Sequence, residues 1–214
     1  MKILFYIISL LLITLSSDLQ AQTKTKNMEH QYDIAMNYLY GENGYLKSNM
    51  LAASYFEKSA NQGYVSAQNN LAIMYLRGFG VSQNTNQAKK YFLMAAKQGH
   101  VNGQIQTALI LLKENNKKDA LRWLRLAAKS DDVDAYYQLG NTLISNKLSV
   151  IDQKEGVTWL EKAAQGNDTQ AMMTLYHYYN SKSDQTNARI WLNKALSYNV
   201  FEAKKIQAEL HLEN

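Results

Sequence analysis

Four histidines, His30, His100, His177 and His211, are the side chains of this 214-residue chain best suited to metal binding or acid–base work. None stands at a helical spacing from another, where two ligands would share one face, and none lies beside an obvious nucleophile. The acids Asp131, Asp132 and Asp134 invite a calcium reading, but the loop order and closing glutamate of a calcium hand are missing. A helix-starting turn accounts for them, because acids favour helix N-termini. Gly78-Phe79-Gly80 is followed neither by a third glycine nor by the lysine of a phosphate loop. The chain contains no cysteine, which removes thiol nucleophiles, thiolate metal sites and disulfides. No catalytic residue, metal ligand or cofactor is assigned, and the chain is read as a non-enzyme.

The elements that would position any site are helices. There is no proline and there are only 10 glycines, so little interrupts long helices. Hydrophobic residues make up 46% and charged residues 19%, a composition that supports a core.

Internal repetition organises the chain. The pairs Ser59-Ala60, Ala95-Ala96, Ala127-Ala128, Ala163-Ala164 and Ala195-Leu196 recur at spacings of 36, 32, 36 and 32 residues. Four residues before each pair stand Tyr55-Phe56, Tyr91-Phe92, Trp123-Leu124, Trp159-Leu160 and Trp191-Leu192. Three residues before these comes a small residue: Ala52, Ala88, Ala120, Gly156 or Ala188. Together they form the apolar stripe of an amphipathic helix, B. A second helix, A, opens at Ala67, Gly103, Ala135, Ala171 and Ala203. The B-to-A links carry Gly63, Gly99, Asp131, Asn167 and Asn199, types that tolerate the left-handed backbone at which helices stop. The A-to-B links vary in length, which produces the alternating period.

Residues 67–81, with Leu71, Tyr75 and Gly78-Phe79-Gly80-Val81, continue into Ala88, Tyr91-Phe92, Ala95-Ala96 and Gly99. This pattern, repeated in Trp159-Leu160 with Ala163-Ala164 and in Trp191-Leu192 with Ala195, resembles the Sel-one-like repeat, a relative of the tetratricopeptide repeat. The resemblance implies an all-α fold: a right-handed α-solenoid of five helix-turn-helix repeats over residues 30–202 with a C-terminal capping helix over 203–214. Units three and five lack the Gly-x-Gly-Val turn, and Tyr176 occupies a slot where the pattern has a small residue, which predicts looser packing there.

Lys2 precedes the apolar run 3–15 (ILFYIISLLLITL), which is shorter than the roughly 20 residues of a membrane-spanning helix. The layout is that of a signal peptide over residues 1–21, cut after Ala21, followed by a flexible lead-in over 22–29 (QTKTKNME). A periplasmic or secreted location follows, without stable membrane insertion after cleavage. Loss of 1–21 removes one base and one acid, leaving the net charge at +5.

In related helical repeats helix A lines a concave groove, and stepping the pattern along each unit places Tyr32, Met36, Asn69, Ile73, Leu76, Ile105, Leu109, Leu112, Tyr137, Asn141, Ile144, Met173, His177 and Asn180 in it. Apolar anchors among uncharged polar groups suit a protein partner. A sequence pI near 9.1 favours an acidic one. Nucleic acid is excluded as a partner, because the bases are dispersed rather than gathered in one run. The resemblance thus implies an exported, non-catalytic protein–protein interaction module, one form of which is an immunity protein that neutralises a secreted toxin or effector. The alternative is a binder of cell-wall fragments or β-lactams with weak hydrolase activity.

Overall fold

The computed structural model describes residues 2–145 and 149–212, with side chains described between residues 19 and 210 of these. It is all-α: eleven α-helices and one short 3-10 turn, with no strand among the described residues. The chain divides into two compact units, residues 1–107 and 108–214.

The first unit contains α1 (Lys2–Tyr40), α2 (Asn49–Gln62), α3 (Val65–Arg77), α4 (Thr85–Lys97) and the first half of α5 (Val101–Lys113). Each helix packs on its chain neighbour, α1 on α2, α2 on α3 and α3 on α4. Phe56, Phe92 and Leu71 are fully buried, and the small column keeps Ala52 and Ala88 against the partner helix without exposure. Ser59 stands in the alanine column for a reason: its Oγ donates to the Met28 carbonyl at 2.6 Å, tying α2 to α1. Asn27 Nδ2 also donates to Gln62 Oε1 at 3.2 Å. Residues 22–29, expected as a flexible lead-in, are therefore helical within α1. They contain no helix breaker, and their end is held by α2.

The second unit contains the rest of α5, then α6 (Lys117–Ala127), a 3-10 turn (Ala128–Ser130), α7 (Val133–Ser145), α8 (Val150–Gln165), α9 (Thr169–Ser181), α10 (Gln185–Ser197) and α11 (Phe201–Leu212). Consecutive helices pack again, and α7 also touches α9, so one hairpin rests on the next. Leu124, Leu139, Leu143, Leu160, Met172 and Leu175 are fully buried. Gly156 lets α7 and α8 approach unusually closely: a Cβ there would stand 2.9 Å from Leu143 Cβ and 3.0 Å from the Gly140 carbonyl oxygen. Tyr176 does not loosen the packing; it is 8% exposed and belongs to the core. The capping helix starts two residues earlier than expected, at Phe201. Only Ala203 of its described side chains is buried, and residues 213–214 of the expected cap lie outside the described residues, as does the side chain of His211.

All five B-to-A link residues are left-handed, with φ of 108° at Gly63, 88° at Gly99, 53° at Asp131, 68° at Asn167 and 58° at Asn199. The B helices share a further feature. Ser48, Asn84, Asn116, Ser149 and Asp184 are their N-caps, each accepting a backbone N–H from three residues on. Without such a side chain those donors would be unpaired, at a cost of about 1 kcal/mol each. The acidic turn behaves likewise: Asp132 Oδ1 accepts from Ala135 N at 2.8 Å at the start of α7, and Tyr136 donates its hydroxyl to Asp131.

Candidate protein-binding surface

The first unit carries a cleft of about 480 Å³ between the end of α1, the start of α2 and the outer half of α3. Its floor is Phe56 and Met74, both buried, and its walls include Leu39 and Ile73. Tyr40 and Phe79, 58% and 46% exposed, stand at the rim. The turn carrying Phe79 is held by a backbone contact: Gly80, at φ 71°, lies against the Asn49 carbonyl so closely that any Cβ would collide with it. A glycine is required there on both counts.

Two cations, Lys47 and Arg77, line the cleft with no acidic side chain beside them. Neither has an ion-pair partner among the described residues; the Arg77 guanidinium lies 5.9 Å from the Phe79 ring centroid. With Asn49, Asn70 completes the polar lining. Its Nδ2 donates to the Tyr32 hydroxyl at 3.4 Å and faces Met36 Sδ at 3.9 Å. Tyr32 also tilts against Phe56 at 5.5 Å and Tyr64 at 5.0 Å, and burial, the largest influence on it, pushes its hydroxyl pKa up.

The structure thus gathers Tyr32, Met36 and Ile73 around Asn70, a residue absent from the expected set. The expected Asn69 is 6% exposed, with its Oδ1 accepting from Asn102 Nδ2 at 2.9 Å. Asn69 and Asn70 differ by about 100° around the helix. The accessible stripe of α3 runs Asn70, Ile73, Arg77, at i, i+3 and i+7, and that spacing from Ile73 was the available signal. Leu76 is half-buried outside the cleft, and its carbonyl accepts from Gln83 Nε2 at 2.9 Å.

Two further expected groove residues, Ile105 and Met173, are each 6% exposed and belong to the packing between helices, not to an open face. Leu109 and Leu112 are half-buried, with Leu112 against the core around Leu124 and Leu139. Tyr137 and Ile144 are half-buried against the core of α8 to α10. Asn141 Oδ1 accepts from Ser145 Oγ at 3.0 Å. His177 and Asn180 are exposed; His177 Nε2 is 2.9 Å from Glu202 Oε1, and Asn180 Oδ1 accepts from Gln185 Nε2 at 3.1 Å. In the second unit these side chains thus mostly bond or pack locally. His100 acts as the N-cap of α5: Gly103 N donates to its Nδ1 at 3.2 Å, and burial holds its pKa down. No group of three metal-ligating side chains occurs among the described residues.

The Sel1 repeat matches five stretches, residues 31–64, 65–100, 109–132, 133–168 and 170–197. The chain belongs to the Sel1 repeat family. A Sel1 repeat protein from Oxalobacter formigenes superposes with a TM-score of 0.73 at 28% identity, over 85% of this chain and 75% of that one. A protective antigen of uropathogenic Escherichia coli with the same repeat fold gives 0.72 at 24% identity over 82% of this chain, which spans 39% of the antigen's length. The immunity protein Pa5087 of Pseudomonas aeruginosa gives 0.52 at 18% identity, over 82% and 67% of the two chains, a likeness of fold alone. No curated protein matches the chain. Sel1 repeats are helical scaffolds suited to protein–protein interaction and are generally non-catalytic. Among the described residues no helix of this Sel1 repeat protein is long and apolar enough to cross a membrane.

Proposed function

We propose that this Sel1 repeat protein is an exported, non-catalytic module that holds a segment of a protein partner in the cleft between Tyr40 and Phe79. The observation that carries the reading is the composition of that cleft: an apolar floor, aromatic rims, two amides and two cations without an ion-pair partner among the described residues. Large rigid aromatics give contact area at little entropic cost, and the amides give direction. Export rests on the signal-like segment before residue 22. Neutralisation of a secreted effector is the form of binding we favour, and the fold shared with an immunity protein is compatible with it.

Placing a photo-crosslinking amino acid at Ile73 in the full chain, expressed in its own cells, tests this. A single envelope or secreted protein should be captured, and capture should be lost in Arg77→Glu at unchanged melting temperature. Toxicity of that partner in cells lacking this chain would support the immunity role. Capture unaffected by Arg77→Glu would refute the cleft, and an intact Met1 in fractionated cells would refute cleavage after Ala21.

A further inference from the structure

A second feature lies on α6, in the second unit. Three B helices carry a tryptophan in the same repeat position, Trp123, Trp159 and Trp191. Two of these rings are covered by a lysine three residues on: Lys162 Nζ lies 4.3 Å from the Trp159 centroid and Lys194 Nζ 5.3 Å from that of Trp191. In the first unit Lys58 covers Tyr55 in the same way, at 4.4 Å. Trp123 has Leu126 at that position, and among the described residues no cation covers its ring. Its indole instead lines a recess of about 280 Å³ walled by Arg122, Arg125, Leu126 and Lys129.

The charges of that recess are not equivalent. Arg125 is engaged in a two-pronged pair with Glu155, at 3.2 Å from Nε and 2.9 Å from its terminal nitrogen. Arg122 and Lys129 are exposed and have no ion-pair partner among the described residues. Leu126 is 41% exposed between them. Trp123 packs partly on the core. Its recess-lining side, bare of any cation among the described residues, joins an apolar side chain flanked by two cations without an ion-pair partner there. That arrangement matches a ligand that presents carboxylates on either side of an apolar group.

We propose that the Trp123 recess is a docking site for an acidic segment of a partner protein, with carboxylates on Arg122 and Lys129 and an apolar side chain on Trp123 and Leu126. Charge distribution favours a compact segment over an anionic bilayer. Residues 108–214 carry fourteen bases against thirteen acids, so no broad positive field exists to draw in an extended surface. Glu155 on α8, held against Arg125 of the recess, would also oppose such a surface.

The test uses the indole N–H NMR signals of the full chain, with the Trp123 signal assigned by Trp123→Phe. The probes are a short peptide alternating Asp and Glu with Leu, the same peptide with Lys replacing the acids, and vesicles of phosphatidylglycerol. The acidic peptide should shift the Trp123 signal saturably, and binding should weaken about tenfold in Arg122→Glu/Lys129→Glu, whose exposed positions leave melting unchanged. Arg77→Glu should leave this titration unaltered, which separates the recess from the cleft of the first unit. The proposal is overturned by absence of a shift, by equal response to the lysine peptide, by unchanged affinity in the double variant, by loss in Arg77→Glu, or by vesicles perturbing Trp123 where the peptide does not.

Discussion

The two units are made of the same hairpin and are stitched by different chemistry. In residues 1–107 the cross-helix bonds are largely between neutral amides: Asn27 to Gln62, Gln62 to Gln31, Gln98 to Gln68 and Asn102 to Asn69. Tyrosines add ring contacts, Tyr38 on Tyr55 and Tyr75 on Tyr91. In residues 108–214 charged groups take that place. Across helices Glu155 receives Arg125 and His177 meets Glu202, while the Trp159 indole N–H on Glu155 and Lys205 on Glu209 are pairs within one helix. The Arg125 guanidinium, the largest influence on Glu155, holds its carboxyl below the usual carboxylate range. Amides can be buried without desolvating a charge, so the first unit places Gln68 and Asn69 inside. That half carries nine bases to five acids, and two of the bases, Lys47 and Arg77, line the cleft without an ion-pair partner among the described residues.

Breaking the backbone contact of the first unit should have the largest effect. Gly80→Ala sets a Cβ on the Asn49 carbonyl at a left-handed φ, and a loss of about 3 kcal/mol is expected. Hydrogen exchange should rise at the start of α2 and the end of α3, and partner capture should fall with it.

Gln68→Ala is expected to cost about 2 kcal/mol. It removes a buried side chain that donates to the Ala60 carbonyl at 3.2 Å and accepts from Gln98 at 2.8 Å. Because no charge is involved, the loss should be the same at low and high salt. A salt-dependent loss would contradict the neutral-stitching account.

His100 makes the first unit sensitive to acid. Burial keeps its imidazole below the ordinary value of 6.5, so the unfolded chain takes up a proton that the folded chain resists. The stability linked to this is intact above about pH 6.5 and is lost as pH falls from there through the folded value. A proton on Nδ1 also removes the acceptor for Gly103 N. His100→Asn keeps a capping side chain that does not titrate. It should flatten melting temperature between about pH 7 and 5 in a denaturation series.

The smallest effect belongs to the exposed pair of the second unit. Arg125→Ala should cost about 0.5 to 1 kcal/mol at low ionic strength and almost nothing in high salt. Measured beside Gln68→Ala, it gives the contrast in salt response directly.

The fold was legible because its determinants are local. Left-handed residues at fixed intervals mark each helix stop, and an apolar stripe at helical period marks each buried face; both are properties of a few neighbouring residues. The B-helix caps, from Ser48 to Asp184, were equally readable from residue type and position. The site was less so. Periodicity alone did not resolve which residues of a helix near the edge of its buried arc are covered, and a one-residue error turns the side chain about a quarter of the way around.

By itself, then, the sequence determined five hairpins, their stops, their small-residue columns and the absence of thiol chemistry. Tertiary packing decided the rest. Asn70 rather than Asn69 faces the cleft because Asn69 is buried against Asn102 of α5, whereas Asn70 lies beside Tyr32 and Met36 of α1. Residues 22–29 are ordered as helix because the end of that segment meets Ser59 and Gln62. Trp123 is available because among the described residues no cation reaches over its ring, whereas a lysine covers the same position on α8 and α10. Each of these depends on which side chains of other turns and helices arrive at a given spot, and that is a property of the assembled hairpins rather than of the local run of residues.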